Sequence, residues 1–194
     1  SLPDTMTQIR VPSLQGQPVF KHFTSNHTVF VHSNPRLDLC VVHPEQNLKR
    51  SGENKMMWLQ NEGLAIRPRL EITEELNVGD YVWIYGVTAH ETLFDEEKGS
   101  EPLMVPTGVR GRVHAKTREH FFVDTLGVEG SEKGKISMGM CGSVVMRGGK
   151  CVGMLTATVH EDSTCKELAG CAMCTYSVDI FEFLLEVEKQ MKNA

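Results

Sequence analysis

Cys141 is the side chain in this sequence whose neighbours best equip it for covalent chemistry. It lies in Gly139-Met140-Cys141-Gly142, followed by the apolar run Val144-Val145-Met146, a Gly148-Gly149 turn signal and a second apolar run, Cys151-Val152-Gly153-Met154-Leu155. A thiol on a tight turn between two glycines stands exposed at the tip, where it can attack a carbonyl carbon. The backbone N–H groups of Gly139, Met140 and Cys141 would point into the same space and hold the oxyanion created by that attack. The same residues also admit a plain reading, in which the glycines only permit a bend and Cys141 is a small buried hydrophobe.

A second group that could do chemistry is His160, Cys165, Cys171 and Cys174, the last two forming a C-x-x-C. Four such side chains would suit zinc. Residues 173–178 read as a strand, however, where positions three apart face opposite sides. The spacing before them matches no standard zinc module, so neither a metal nor another cofactor is expected and the cysteines are read as free thiols. Trp58, Trp83 and the ten methionines are read as core filling.

Short strands separated by turn signals must carry these residues. β-Branched and aromatic runs at 8–14, 28–32, 37–42, 81–85, 105–113, 121–123, 143–146, 151–157 and 173–178 read as strands. Gln15-Gly16, Asn34-Pro35, Ser51-Gly52, Val78-Gly79-Asp80 and Lys98-Gly99 punctuate them. The density of strands predicts an all-β barrel or sandwich. Only the end reads as a helix: from Asp179, the residues Ile180, Phe181, Phe183, Leu184, Val187 and Met191 recur at spacings of three and four. Polar stretches at 44–61 and 90–101 read as surface insertions.

Composition narrows the classes. With 40% hydrophobic and 23% charged residues over 194 positions, the chain has the balance of a globular protein. No apolar run reaches the length of about 18 residues that a membrane span needs, so no membrane partner is expected. The start, Ser1-Leu2-Pro3-Asp4, lacks the basic and apolar pattern of a secretory signal. Six unevenly spaced cysteines then suggest reduced thiols in an intracellular compartment, the cytoplasm first. A net charge of −5, from 20 Lys and Arg against 25 Asp and Glu, argues against a nucleic-acid surface covering the molecule; nucleic acid is not indicated, and only a local basic patch would escape this argument.

The segment around Cys141 resembles the nucleophile region of chymotrypsin-fold proteases, in which Gly-x-Ser-Gly or Gly-x-Cys-Gly precedes an apolar strand, a turn and Gly-apolar-apolar. Leu76-Asn77-Val78-Gly79-Asp80-Tyr81-Val82-Trp83-Ile84-Tyr85-Gly86 is similar to the strand opening the second barrel in the HtrA serine proteases and the picornain-like cysteine proteases. Asn34-Pro35-Arg36-Leu37-Asp38-Leu39-Cys40-Val41-Val42 resembles the strand carrying the triad acid, and Phe121-Phe122-Val123-Asp124-Thr125 the strand before the nucleophile loop. These segments follow family order from about residue 8 to residue 180. The resemblance implies two six-stranded antiparallel β-barrels of chymotrypsin type with a C-terminal α-helix. The N-terminal lobe (1–70) would be incomplete, and the C-terminal lobe would run over 71–194.

The resemblance also implies roles. Cys141 falls at the nucleophile, Asp38 at the acid that orients the base, and Gly139, Met140 and Cys141 at the oxyanion hole. The family's histidine would fall near Gln8, where residues 1–20 hold none, so the base is expected upstream of Ser1. Within the chain His27 is a weak candidate, too near Asp38 in sequence, and His22 and His32 read as ordinary loop or strand histidines. Ile136, Leu155, Thr156 and Ala157 match the first substrate pocket. Ile136 and Leu155 stand where enzymes that cut after glutamine carry a hydrogen-bonding side chain, which implies a pocket for something other than glutamine. The expected activity is a cysteine endopeptidase acting on polypeptide, of the kind that processes viral polyproteins. The alternative is an inactive protease-like domain that serves as a binding or assembly scaffold.

Overall fold

The computed structural model describes residues 7–12, 18–23, 28–43, 71–90, 103–125, 136–137 and 139–193. The proposed insertion at 44–61 lies outside them, and so does the part of the 90–101 stretch beyond His90. The chain divides into two compact units, one of Ser1–His32 with Cys40–Arg69 and one of Ser33–Leu39 with Leu70–Ala194.

In the first unit, β1 (Thr7–Pro12) pairs antiparallel with β2 (Pro18–Phe23), and β3 (Thr28–Val31) with β4 (Cys40–His43). These are two separate two-stranded pairs, and the described residues of this unit do not form a barrel.

The second unit is built on one closed antiparallel barrel of six strands. They are β5 (Tyr81–His90), β6 (Leu103–Lys116), β7 (His120–Asp124), β8 (Val144–Arg147), β9 (Lys150–Thr158) and β10 (Ala172–Tyr176). Around the barrel the order is β10-β7-β6-β5-β8-β9. Alternation sorts each strand's side chains: on β5, Val82 and Ile84 point into the core while Tyr81, Trp83 and Tyr85 point out. The interior is packed with Val109, Val113, Phe121, Val123, Val145, Val152 and Leu155, among others. Register shifts in the β6–β7, β8–β9 and β9–β10 ladders supply the bends that closing so small a barrel requires.

Strand contacts are tight where the sequence offers glycine. A Cβ on Gly153 would lie 2.3 Å from the Thr175 carbonyl oxygen and 2.7 Å from the Phe121 ring. The Gly148-Gly149 turn between β8 and β9 has positive φ at both residues (55° and 82°), as a two-residue hairpin of the primed type demands. A helix, α1 (Ser177–Asn193), follows β10 without a loop and buries Phe183 and Val187, one turn apart, against β9 and β10. No helix among the described residues is long and apolar enough to cross a membrane.

The expected strand at 37–42 is shorter and displaced. Pro35–Leu37 forms a 3₁₀ turn, Asn34 accepts the Arg36 N–H on its side-chain oxygen at 3.1 Å, and Asp38 ends the turn in the left-handed region at φ 50°. Proline cannot donate to a ladder but suits the first position of such a turn. Pairing therefore begins only at Cys40.

Gly153→Ala should destabilise the fold by about 1–3 kcal/mol, because the added methyl has no space. Gly142→Ala has open space around the added atom and should cost only about 1 kcal/mol, from its φ of 90°. Urea unfolding of both variants checks this, and an unchanged midpoint for Gly153→Ala would contradict the close approach of β9 to Phe121 and Thr175.

Candidate functional site

The turn that carries Cys141 is held at both ends. Met140, fully buried in the barrel core, anchors it from within. On the C-terminal side, the Gly142 N–H donates to the Leu155 carbonyl at 2.8 Å, and the Leu155 N–H donates to the Ser143 carbonyl at 2.9 Å. The Ser143 N–H closes on the Met140 carbonyl at 2.9 Å, and the Met140 N–H reaches the Ser137 carbonyl at 3.2 Å. Ser143 is buried above Gly86, where a Cβ would be 1.8 Å from its Oγ. Gly139 and Gly142 have φ of 93° and 90°, a region that L side chains enter only with strain.

This network uses the amides of Met140, Gly142 and Ser143. The amides of Gly139 and Cys141, two residues apart, donate to no partner among the described residues. Cys141 is exposed and its thiol is free. An exposed thiol on a turn with two N–H donors not taken up by described residues has the parts needed to attack a carbonyl and to hold the oxygen that becomes negative. No hydrogen bond joins the thiol to a histidine among the described residues.

Asp38 is exposed and sits on the segment Ser33–Leu39, which belongs to the barrel unit. Leu37 and Leu39 on either side of it are buried. Three contacts fasten the segment: the Asn34 amide donates to Glu119 at 3.0 Å, Arg36 lies 3.5 Å from Glu119, and the Thr175 hydroxyl donates to the Leu37 carbonyl at 3.3 Å. The hydrogen bond from Asn34, with Arg36 beside it, holds the Glu119 carboxyl below the usual range.

His120 escaped the sequence reading. It stands opposite Thr175 in the ladder, so its imidazole shares the face on which Thr175 holds Leu37. It is 8% exposed, and its Nε2 has no hydrogen-bond partner among the described residues. The signal available in the sequence was an imidazole opening the run His120-Phe121-Phe122-Val123, a polar ring in a strand otherwise apolar. His27 lies outside the described residues.

A cavity of about 430 Å³ opens beside the strand end, lined by Ile136, Thr125, Thr158, His160 and Asp162 among others. Of the four residues matched to a substrate pocket, it takes only Ile136. Leu155 points into the core, fully buried. The Thr156 hydroxyl is committed to the Met173 carbonyl at 3.0 Å, and Ala157 does not line the cavity. On the rim the Asp162 N–H donates to His160 Nδ1 at 3.2 Å.

The His160, Cys165, Cys171 and Cys174 set does not converge. Cys171 and Cys174 are buried on β10 or beside it while His160 and Cys165 are exposed, and no group of three metal-binding side chains forms among the described residues. Burial pushes the Cys174 thiol far up, and it raises Cys151 and Cys171 as well, the latter with help from Asp124.

No family model matches the chain, and no curated protein sequence matches it.

The buried thiols give stability a pH dependence of definite sign. Unfolded, they lose their protons near about pH 8.5; folded, they hold them to higher pH. Stability is then complete below about pH 8.5 and falls as pH rises above it, because the unfolded state releases protons first. Urea midpoints measured from about pH 7 to pH 10 should decline over the upper part of that window. Cys174→Ala, though less stable throughout, should decline less steeply, and an equal slope would remove Cys174 as the source.

Proposed function

We propose that this chain is a cysteine endopeptidase of the chymotrypsin fold, with Cys141 as nucleophile. The observation that carries the reading is an exposed Cys141 thiol at the entrance to β8, on a turn whose Gly139 and Cys141 amides have no acceptor among the described residues. An antiparallel six-stranded barrel closed behind that turn supports it, as does the run of similar motifs in family order along the sequence.

In this reaction the Cys141 sulfur bonds to the carbonyl carbon of the scissile peptide as an imidazole accepts the thiol proton. The carbonyl oxygen becomes an oxyanion held by the two amides. Collapse of the intermediate breaks the C–N bond, the amine leaves with the proton from the imidazole, and a thioester remains. Water then attacks the thioester, giving the carboxylic acid and returning the proton to sulfur. Asp38 would orient the imidazole. The reading needs an imidazole base, and no hydrogen bond joins Cys141 to a histidine among the described residues. The cavity beside Ile136, lined also by Thr125, Thr158, His160 and Asp162, would receive a substrate side chain.

The second reading, a protease-like scaffold, draws on that same lack of a hydrogen bond between the thiol and a histidine. One experiment separates the two. The chain is incubated with a random peptide library and, in parallel, with a peptidyl aldehyde or vinyl sulfone, and both are read by mass spectrometry. The enzyme reading expects new peptide termini, covalent modification at Cys141, and loss of cleavage by at least about 10⁴-fold in Cys141→Ala. Alkylation of Cys141 by iodoacetamide without any peptide cleavage or capture of the peptidyl electrophile would establish the scaffold instead.

A further inference from the structure

The outer wall of the barrel at β5 and β6 carries two rows of side chains that the catalytic reading leaves unused. On β5, Tyr81, Trp83 and Tyr85 face outward and are 52%, 43% and 47% exposed. The Trp83 and Tyr85 rings are nearly parallel, 5.9 Å apart between centroids at an interplanar angle of 11°. Side by side on β6, the outward row is Gly108, Arg110 and Arg112; beyond the register shift between Val113 and Ala115, Lys116 stands exposed at the strand's end and Arg118 in the turn after it. The register sets Arg112 opposite Tyr81, Arg110 opposite Trp83 and Gly108 opposite Tyr85. Having no side chain, Gly108 lets the Tyr85 ring lie against the sheet, where a Cβ would be 3.1 Å from it.

The cations are placed rather than loose. The Arg110 guanidinium lies 4.4 Å over the Tyr81 ring, the Arg112 Nε donates to the Gly79 carbonyl at 3.2 Å, and Lys116 Nζ donates to the Leu76 carbonyl. Among the described residues, none of Arg110, Arg112, Lys116 and Arg118 is paired with a carboxylate. Asp80 is bonded to Arg147 at 3.0 Å, and Asp124 stands directly opposite Arg112 in the β6–β7 ladder, so Arg110 is the cation of this row set farthest from a cross-strand acid. In a chain of net charge −5, four unpaired cations along one strand and its turn are a local inversion of the overall charge.

We propose that this wall binds single-stranded nucleic acid, with Tyr81, Trp83 and Tyr85 stacking on unpaired bases and Arg110, Arg112, Lys116 and Arg118 taking the phosphates. Exposed aromatic rings beside a track of cations meet both needs of a flexible polyanion with flat bases. A peptide adding as a strand at the aromatic row is disfavoured, because Trp83–Tyr85 of β5 already pair on both sides, with β6 and with β8. A duplex keeps its bases stacked within itself and could use only the cations.

The test is fluorescence anisotropy of the full chain with a labelled oligouridylate of about 12 nucleotides at about 50 mM salt. An abasic strand of the same length and a blunt duplex serve as comparisons. Binding is expected to weaken with salt, at a log–log slope of about −2 to −3 for three or four phosphate contacts. Trp83→Ala should weaken it roughly 5- to 100-fold, and Arg110→Gln should reduce the slope by about 0.7. Both positions are exposed, so circular dichroism should show both variants folded; if Trp83→Ala is not, Tyr81→Ala takes its place. Cys141→Ala should bind as the parent does, which separates this wall from the thiol chemistry. No binding, equal binding to the abasic strand or duplex, or indifference to both substitutions would overturn the proposal.

Discussion

Leu155 is the residue on which the site's geometry rests. Its side chain is locked in the barrel core while its backbone N–H and C=O both reach across to the turn before β8, one to Ser143 and one from Gly142. Buried peptide groups must find partners, so this exchange fixes the height at which the turn crosses the barrel's end. Met140 pins the other side from inside the core. With both flanks held, Cys141 has nowhere to go but outward, and the two amides that the clasp does not use remain available beside it. The thiol's exposure is thus a consequence of how well its neighbours are buried.

The strands around that clasp divide their work by face. On β5, Val82 and Ile84 fill the core, and the residues between them build the aromatic row outside. On β6, Val109 and Val113 point in while Arg110, Arg112 and His114 point out. A barrel this small leaves no room inside for anything but apolar side chains and the occasional glycine. Polar function is therefore confined to its ends and its outer wall, where the turn of Cys141, the cavity beside Ile136 and the basic row are all found. The segment bearing Asp38 is docked to the barrel by Leu37 and Leu39 and by the Glu119 and Thr175 hydrogen bonds, although Asp38 itself faces solvent.

Much of the barrel was legible in the sequence because its signals are local. β-Branched runs marked β7 to β10, Gly148-Gly149 marked the hairpin between β8 and β9, and Val78-Gly79-Asp80 marked the turn into β5, where Gly79 has φ of 95°. Other features misled for identifiable reasons. Gly86 read as the end of a strand, but β5 continues to His90 and Gly86 instead makes room for Ser143. The Asn34-Pro35 pair read as a turn signal and does open a 3₁₀ turn, but that turn delays the strand expected from Leu37 to Cys40. β2 went unread because Lys21-His22 interrupts its apolar pattern and its partner β1 supplies the pairing. The helix begins two residues before the predicted Asp179 since β10 runs directly into it.

What the sequence by itself determined is the local vocabulary: which runs extend, where glycine permits a turn, and that a cysteine lies on one of those turns. Such properties depend on neighbouring residues alone. Only the tertiary structure decided which of these meet. It placed Leu155 inside the core, buried His120 with an Nε2 that has no hydrogen-bond partner among the described residues, and buried Cys171 and Cys174 while leaving His160 and Cys165 exposed. It also set the aromatic row of β5 beside the cations of β6, residues far apart in the chain that a net charge of −5 conceals. Register is the physical reason, since a shift of one residue between two strands would turn every one of these side chains to the opposite face.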